Sequence, residues 1–377
     1  MWRGRRAHAF VPTRLADRDL TLDARSVAGA ARAQAAVERG AETMPEDFAA
    51  LARLLLRVEG VASSFIEGVT ASALDIVLAE ADDRGTPSAA AWVAANLSAV
   101  TEAIEAARAG PLTTEGLCDW HRTLMTGSPT PAQQVGVLRS EQGWIGGSSP
   151  LDAHVVTPPP EEVPALVDDL NAYVNREDVD AITQAAVGHA QFELIHPFAD
   201  GNGRIGRVLL AWILVRRLSL VVPPPVSARI AAEVGGYSSG LVLFRMGDHN
   251  AWVRWFADAV SGAGRAQQEM VASVERLRCE WRGRLAAPRP ATRRVRSDAA
   301  AWRALDLLPR HLVLTGSIVA SGLSIPLKSA NAALRQLVDA GVLVEHGSMR
   351  PRGRGRPSRL YTSVELLGLT GSNPLRG

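Results

Sequence analysis

HPFADGNGRIGR, residues 196–207, decides how this chain reads. It lies between two stretches, about 179–195 and 204–218, with apolar residues at helical spacing. A tight loop with Gly201 and Gly203 that opens a helix aims several backbone N–H groups at one point. The first N–H groups of a helix lack partners and the dipole is positive there, so such a loop attracts an anion. Arg204 and Arg207, three residues apart, share nearly one face of the first turn and can add charge-assisted bonds to a polyphosphate. Asp200 is a hard oxygen ligand suited to Mg²⁺ carried by a phosphate. His196 is the one group of the segment that ordinarily titrates near neutral pH, which makes it the natural general base. Each feature alone has a plain structural explanation: a turn between helices, a solvated arginine face, a packed histidine beside proline. Their gathering within twelve residues favours a phosphoryl-group site.

The segment resembles the signature of Fic-domain proteins, HxFx(D/E)GNGRxxR, at every defined position. The resemblance implies a helical domain that transfers AMP from ATP to a Tyr, Thr or Ser hydroxyl of a target protein. By position it implies that His196 deprotonates the target hydroxyl, and that Asp200 holds Mg²⁺ on the α- and β-phosphates. Gly201, Asn202 and Gly203 would form the anion cradle, and Arg204 and Arg207 would contact the outer phosphates. Ile205, Gly206 and Tyr237 complete the expected nucleotide-binding set, with a core or surface tyrosine as the alternative for Tyr237, and Phe198 would anchor the loop in the core. RSEQGWIGG…AHVVTPPPEEV (139–163) resembles the family's flap hairpin, with Ile145 and Gly146 as flap residues and an edge strand on which a target segment could dock. SSFIEG (63–68) fits the (S/T)xxxE(G/N) pattern of the Fic inhibitory helix. Ser63 and Glu67, four apart, then share a helix face, and Glu67 would compete with ATP for Arg207. FVPTRL (10–15) and WVRWFADAV (252–260) extend the similarity to roughly residues 10–280.

The expected fold is mainly α: a Fic helical core with a small β-hairpin flap, followed by a winged-helix domain. We divide the chain into an N-terminal helical region, 1–110, with the inhibitory helix at about 48–68; a Fic core, 111–285; and a winged helix, 295–365. FAALARLLLRVEGVASSFIEG carries Phe48, Leu51, Leu55, Val58, Ala62 and Phe65 at helical spacing. Further helical patterns cover about 70–81, 88–108 and 114–126; QGWIGG and AHVVT read as a hairpin, and DHNAWVRWF…RL as one long helix or two. APRPATRRVR (287–296) reads as a linker. In the tail, a helix at about 327–340 would be the recognition helix, with Lys328, Ser329, Asn331 and Arg335 exposed and Ala330, Leu334 and Leu337 in the core.

At 377 residues, with 47% hydrophobic and 21% charged, the chain is globular and long enough for more than one domain. Its two cysteines, Cys118 and Cys279, exclude a disulfide framework and favour a reducing compartment. The longest apolar run, VLLAWILV (208–215), is too short to span a bilayer, and the basic start lacks an apolar segment, so a cytoplasmic protein without membrane contact is expected. The net charge of +2 hides an asymmetry: from Arg282 onward 16 basic residues face 5 acidic ones. A basic tail with the loop RPRGRGRPSR (350–359) suggests DNA, with a protein partner as the alternative. A DNA-binding regulator whose Fic body senses nucleotide, an AMP-removing enzyme, and a transferase of another phosphate-linked group are the rival functions. The assembly state, including a homo-oligomer, is left open. His189, Glu193 and His196, at spacings of four and three, were weighed as a zinc site and ranked below a packed role for His189.

Overall fold

The computed structural model describes residues 5–44, 49–81, 87–287, 296, 299–349 and 358–370. Phe48, most of the expected linker and residues 350–357 of the basic loop lie outside the described residues. The chain is mainly helical. The body comprises α1 (Ala24–Glu42), α2 (Ala49–Ile66), α3 (Ala73–Ala81), α4 (Ala89–Ala109), α5 (Thr114–Leu124), the hairpin β1 (Trp144–Ile145) and β2 (Val155–Val156), α6 (Val163–Val174), α7 (Ala181–Ile195), α8 (Asn202–Leu218), α9 (Val226–Ala232), α10 (Val234–Arg245) and α11 (His249–Ala286). The tail adds α12 (Ala300–Leu305), β3 (Val313–Leu314), α13 (Gly316–Leu323), α14 (Leu327–Asp339), β4 (Val344–Met349), β5 (Ser358–Thr362) and α15 (Val364–Leu369).

Local chemistry explains where these helices begin. Asp23, Ser88, Thr113, Asp180 and Asp248 each accept a hydrogen bond from a backbone N–H three residues on, giving α1, α4, α5, α7 and α11 side-chain N-caps. α7 is buried along its whole length, and α8 is buried from Asn202 to Val215 apart from half-buried Gly203. A helix apolar on all sides belongs at the centre, and this pair forms the middle of the body. The core crosses the expected boundary at residue 110: Leu15, Ala30 and Val37 pack in one cluster with Trp212, Trp252 and Phe256. A second cluster joins Leu51 and Leu54 of α2, Trp281 and Leu285 of α11, and the tail.

The hairpin is antiparallel, with Trp144 opposite Val156 and Ile145 opposite Val155. The tail sheet has the order β3-β5-β4, all antiparallel, so β3 is a third strand beyond the two expected there. α9 and α10 follow VVPPPV, where periodicity had given no element. The stretch from His249 is a single 38-residue helix. Among the described residues no helix is long and apolar enough to cross a membrane.

Glycine sets the approach of α1 to α11. A Cβ on Gly264 would lie 2.7 Å from the Ala36 carbonyl oxygen and 3.0 Å from the Val37 nitrogen, both backbone atoms that cannot swing aside. Alanine would gain about 1 kcal/mol of helix propensity, yet Gly264→Ala should lower stability by roughly 1–3 kcal/mol through overpacking. Thermal unfolding at equal pH checks this, and an unchanged or higher melting temperature would refute it.

Candidate active site

The turn after α7 begins at His196, which sits in the left-handed region at φ 52°. A non-glycine residue there is strained by about 1–3 kcal/mol and persists only where its surroundings hold it. Arg139 does so. Its Nε donates to the His196 carbonyl at 2.8 Å, and its Nη2 donates to Pro158 and Ile195 carbonyls at 2.7 and 3.3 Å. Arg139 is 6% exposed and ties the strand after the hairpin to the loop. Nothing in the sequence separated this arginine from the other 39, because its partners are main-chain carbonyls brought in by the fold.

His196 is half-buried, and burial pushes its pKa down to about 4. Its Nδ1 lies 3.3 Å from the Glu193 carbonyl, which can only accept. The proton therefore sits on Nδ1, and Nε2 carries the lone pair. The ring is neutral and poised to accept a proton.

Side chains shape the loop from beneath. Asn202 Oδ1 accepts the Phe198 N–H and its Nδ2 donates to the Phe198 carbonyl, both at 2.8 Å. Its side chain is thus a loop staple, a correction to its place as an anion contact, while its amide still opens α8. His121 accepts the Gly136 N–H at Nδ1, 2.8 Å, and donates from Nε2 to the Asp200 carbonyl, 3.0 Å. Burial lowers its pKa to about 4, and its ring stacks on Phe198 at 4.0 Å. The exposed Asp200 carboxylate accepts from Gly201 N–H at 2.7 Å and from the Thr130 hydroxyl at 3.1 Å. A single carboxylate beside a phosphate cradle suits Mg²⁺, which is commonly held by one or two carboxylates plus substrate phosphates.

Neither arginine belongs to a solvated face. Arg204 is 8% exposed, its Nη2 3.9 Å from Met125 Sδ and its buried Nε without a partner. Arg207 is 1% exposed. It donates from Nε to Ser63 Oγ at 2.9 Å, and from Nη2 to the Ser63 carbonyl and Glu67 Oε1 at 2.8 Å each. Ser63 and Glu67 therefore meet Arg207 as the spacing in SSFIEG anticipates. The Glu67 carboxylate also stands where a Cβ on Gly203 would project, so it covers the N-terminus of α8, and a side chain at 203 would have to push it aside.

Three expected nucleotide-binding residues pack into the core, Tyr237 in the alternative place the sequence left open for it. Ile205 is fully buried and its amide donates to the Gly201 carbonyl at 3.0 Å. Gly206 faces α7: its carbonyl takes the His189 Nδ1 proton at 2.9 Å, and a Cβ there would meet Glu193 Oε1 at 2.5 Å. Tyr237 packs against Trp252 and Trp255, with its hydroxyl 2.9 Å from His189 Nε2. These residues support the loop from the core because the hydrogen-bonding groups they carry are already paired. With both His189 nitrogens engaged, the His189–Glu193–His196 zinc reading also fails, and among the described residues no group of three or more His, Cys, Asp or Glu could hold a metal. Glu193, considered in the sequence only as a zinc ligand, is instead a buried carboxyl of the core. Its Oε1 is buried without a hydrogen bond, and burial raises its pKa to about 7.

Ile145 and Gly146 lie on the hairpin as expected. Gly146 turns at φ 69°, where a Cβ would strike the His154 ring at 2.8 Å. The outer side of β2 already receives the Phe10 N–H at the Val156 carbonyl, 2.8 Å, which narrows the edge expected for target docking.

Residues 111–214 match the model of the Fic/DOC family. The chain is 32% identical to protein adenylyltransferase fic-1 of Caenorhabditis elegans over 146 residues, 38% of this chain and 26% of that protein. It is 48% identical over 59 residues to a probable protein adenylyltransferase of Aquifex aeolicus, 15% and 18% of the two chains. Against protein adenylyltransferase Fic of Drosophila erecta it is 29% identical over 150 residues, 39% and 28%. The chain thus spans about a quarter of the length of the curated relatives from the nematode and the fly. A Fic family protein from Desulfovibrio desulfuricans shares the fold, with a TM-score of 0.56 at 23% identity over 92% of this chain and 97% of that one.

The lowered His196 pKa sets a pH dependence. Acid removes the base by protonating it, so the acid limb of kcat/KM for group transfer should fall near pH 4–5, well below the limb of an ordinary histidine. A pH–rate profile checks this, and a limb at pH 6.5 or above would contradict it.

Proposed function

We propose that this chain transfers AMP from ATP to a hydroxyl side chain of a target protein, and that Glu67 restrains the reaction. What supports the reading is one observation: a complete Fic loop whose buried Arg207 is held by a carboxylate from α2 at 2.8 Å. In the proposed reaction His196 Nε2 takes the proton of a Tyr, Thr or Ser hydroxyl. The hydroxyl oxygen bonds to the α-phosphorus, the bond from that phosphorus to the bridging oxygen breaks, and pyrophosphate leaves. The amides opening α8, with Arg204 and Arg207, receive the phosphate charge. Mg²⁺ held by Asp200 would neutralise charge on the phosphates. Catalysis of this kind is chiefly positioning, so an acid on Arg207, in the place of an outer phosphate, leaves ATP misaligned for in-line attack.

Incorporation of α-labelled but not γ-labelled ATP tests the reaction. His196→Ala should slow it by about 10²–10⁴-fold, the usual cost of a lost general base. Glu67→Gly should raise the initial rate about tenfold or more, in line with the ~1.5 kcal/mol of a charge-assisted hydrogen bond, and Arg207→Ala should abolish the gain. No transfer from Glu67→Gly would favour the nucleotide-sensor or AMP-removing alternatives.

For the tail we propose DNA contact. Lys328, Ser329 and Arg335 of α14 are exposed, while Ala330, Leu334 and Leu337 are buried, which suits a helix presented to a groove. Asn331 is set apart: it is half-buried, with its Oδ1 pressed against Gly316, so it leaves the expected contact set. For phosphate contact, log affinity should fall linearly with log salt, and Arg352→Ala, Arg354→Ala and Arg356→Ala together should flatten the slope. Absence of binding at low salt would point to a protein partner.

A further inference from the structure

We propose that the tail clamps α2 and thereby sets the position of Glu67, an inference that rests on the autoinhibitory reading of Glu67. α2 is held differently at its two ends. Toward its C-terminus the body grips it: Glu59 accepts from Ser227 of α9 at its amide, 2.8 Å, and at its hydroxyl, and Asn96 of α4 donates to the Gly60 carbonyl at 3.0 Å. Toward its N-terminus, Leu51 and Leu54 belong to the apolar cluster built with Trp281 of α11 and with Leu308 and Leu312 of the tail. That cluster is separate from the main core of the body.

Glu59 therefore acts as a pivot between unequal holds. At 1.5 Å per residue, Leu51 lies about 12 Å before it and Glu67 about 12 Å beyond it. A helix bends little over this length, so a shift of about 1 Å at Leu51 appears as a similar shift at Glu67. A bond of 2.8 Å does not survive such a shift, because hydrogen bonds weaken steeply past about 3.2 Å.

The seam itself is loosely made. A cavity of about 330 Å³ lies between α2, α3 and the tail, lined among others by Arg53, Leu54, Arg57, His311 and Leu312. The Arg53 guanidinium reaches the Arg310 carbonyl only at 3.5 Å, and Arg57 Nη1 is buried with no hydrogen-bond partner. The tail's polar bonds run instead to α11, where Trp281 and Arg284 donate to Glu365 and Arg282 donates to Asp306. The tail's hold on α2 itself is therefore chiefly apolar, through Leu51 and Leu54, while the hold at Glu59 is hydrogen-bonded.

The test uses the full chain and two variants remote from the catalytic loop, Leu54→Ala on α2 and Leu312→Ala on the tail. Initial rates of α-label incorporation are compared at equal folded concentration, with and without Glu67→Gly, beside hydrogen exchange of amides 61–66. The proposal expects each variant to raise the rate severalfold toward that of Glu67→Gly, and to add nothing in the Glu67→Gly background. It also expects faster exchange at 61–66. If Glu67→Gly is fast but both variants match wild type, the clamp is wrong and autoinhibition stands. Equal gains in both backgrounds likewise overturn the clamp. If Glu67→Gly is no faster than wild type, the autoinhibitory reading falls, and exchange alone decides whether the tail holds α2. Unchanged protection at 61–66 in Leu312→Ala, with faster exchange within the tail, then refutes it.

Discussion

A guanidinium buried to 1% exposure must have an anion beside it, and Arg207 is such a group. Most of the site follows from that requirement. α8 carries Arg207 through the middle of the body, so the anion has to come from a neighbouring element or from a ligand. α2 supplies it with Glu67 and adds two Ser63 oxygens, which accept from Nε and Nη2. The same position at the start of α8 is where helix polarity favours a phosphate. One buried cation thus meets a carboxylate of the chain itself at the helix end where a phosphate is favoured, and the proposed restraint by Glu67 rests on that overlap.

Around this pair the protein keeps its ionisable groups neutral. His121, His189 and His196 are all lowered to about 4 by burial, while Glu59 and Glu193 are raised to about 7. The linked stability effects oppose each other. The histidines' contribution is present above pH 6.5 and fades as pH falls toward 4. The glutamates' contribution is present below about 4.5 and fades as pH rises through 7. Histidine tautomers are meanwhile set by backbone groups: Gly136 and Asp200 for His121, Gly206 for His189, Glu193 for His196. The loop is held by main-chain partners, which substitutions of distant side chains leave in place.

The reading of the loop depended on residue types whose chemistry is local. His196, Asp200, Arg204 and Arg207 were legible because their spacing alone places them on one turn and one helix start. Ser63 and Glu67 were legible as one helix face, and both lie in hydrogen-bond contact with Arg207. Ile205 and Gly206 were placed on the ligand by position in a motif and Tyr237 as an aromatic near it, but their polar groups have partners in the core that no spacing reveals. Arg139 and His121 were invisible for the same reason, and Glu193 was seen only as part of a zinc spacing. Each acts on a backbone atom or a buried neighbour far away in sequence, such as Arg139 on residue 196.

By itself the sequence determined most helices of the body, the hairpin, the loop and the helix that leads into Glu67, since periodicity, caps and glycine spacing act within a few residues. Tertiary structure alone decided which loop residues face outward and which support it from the core. It also decided that the N-terminal helices share one core with the central pair, and that the tail closes on Leu51 and Leu54. Those outcomes depend on burial and on contacts between segments up to about 260 residues apart, as between Leu54 and Leu312. Side-chain packing over such separations leaves no periodic trace in the chain.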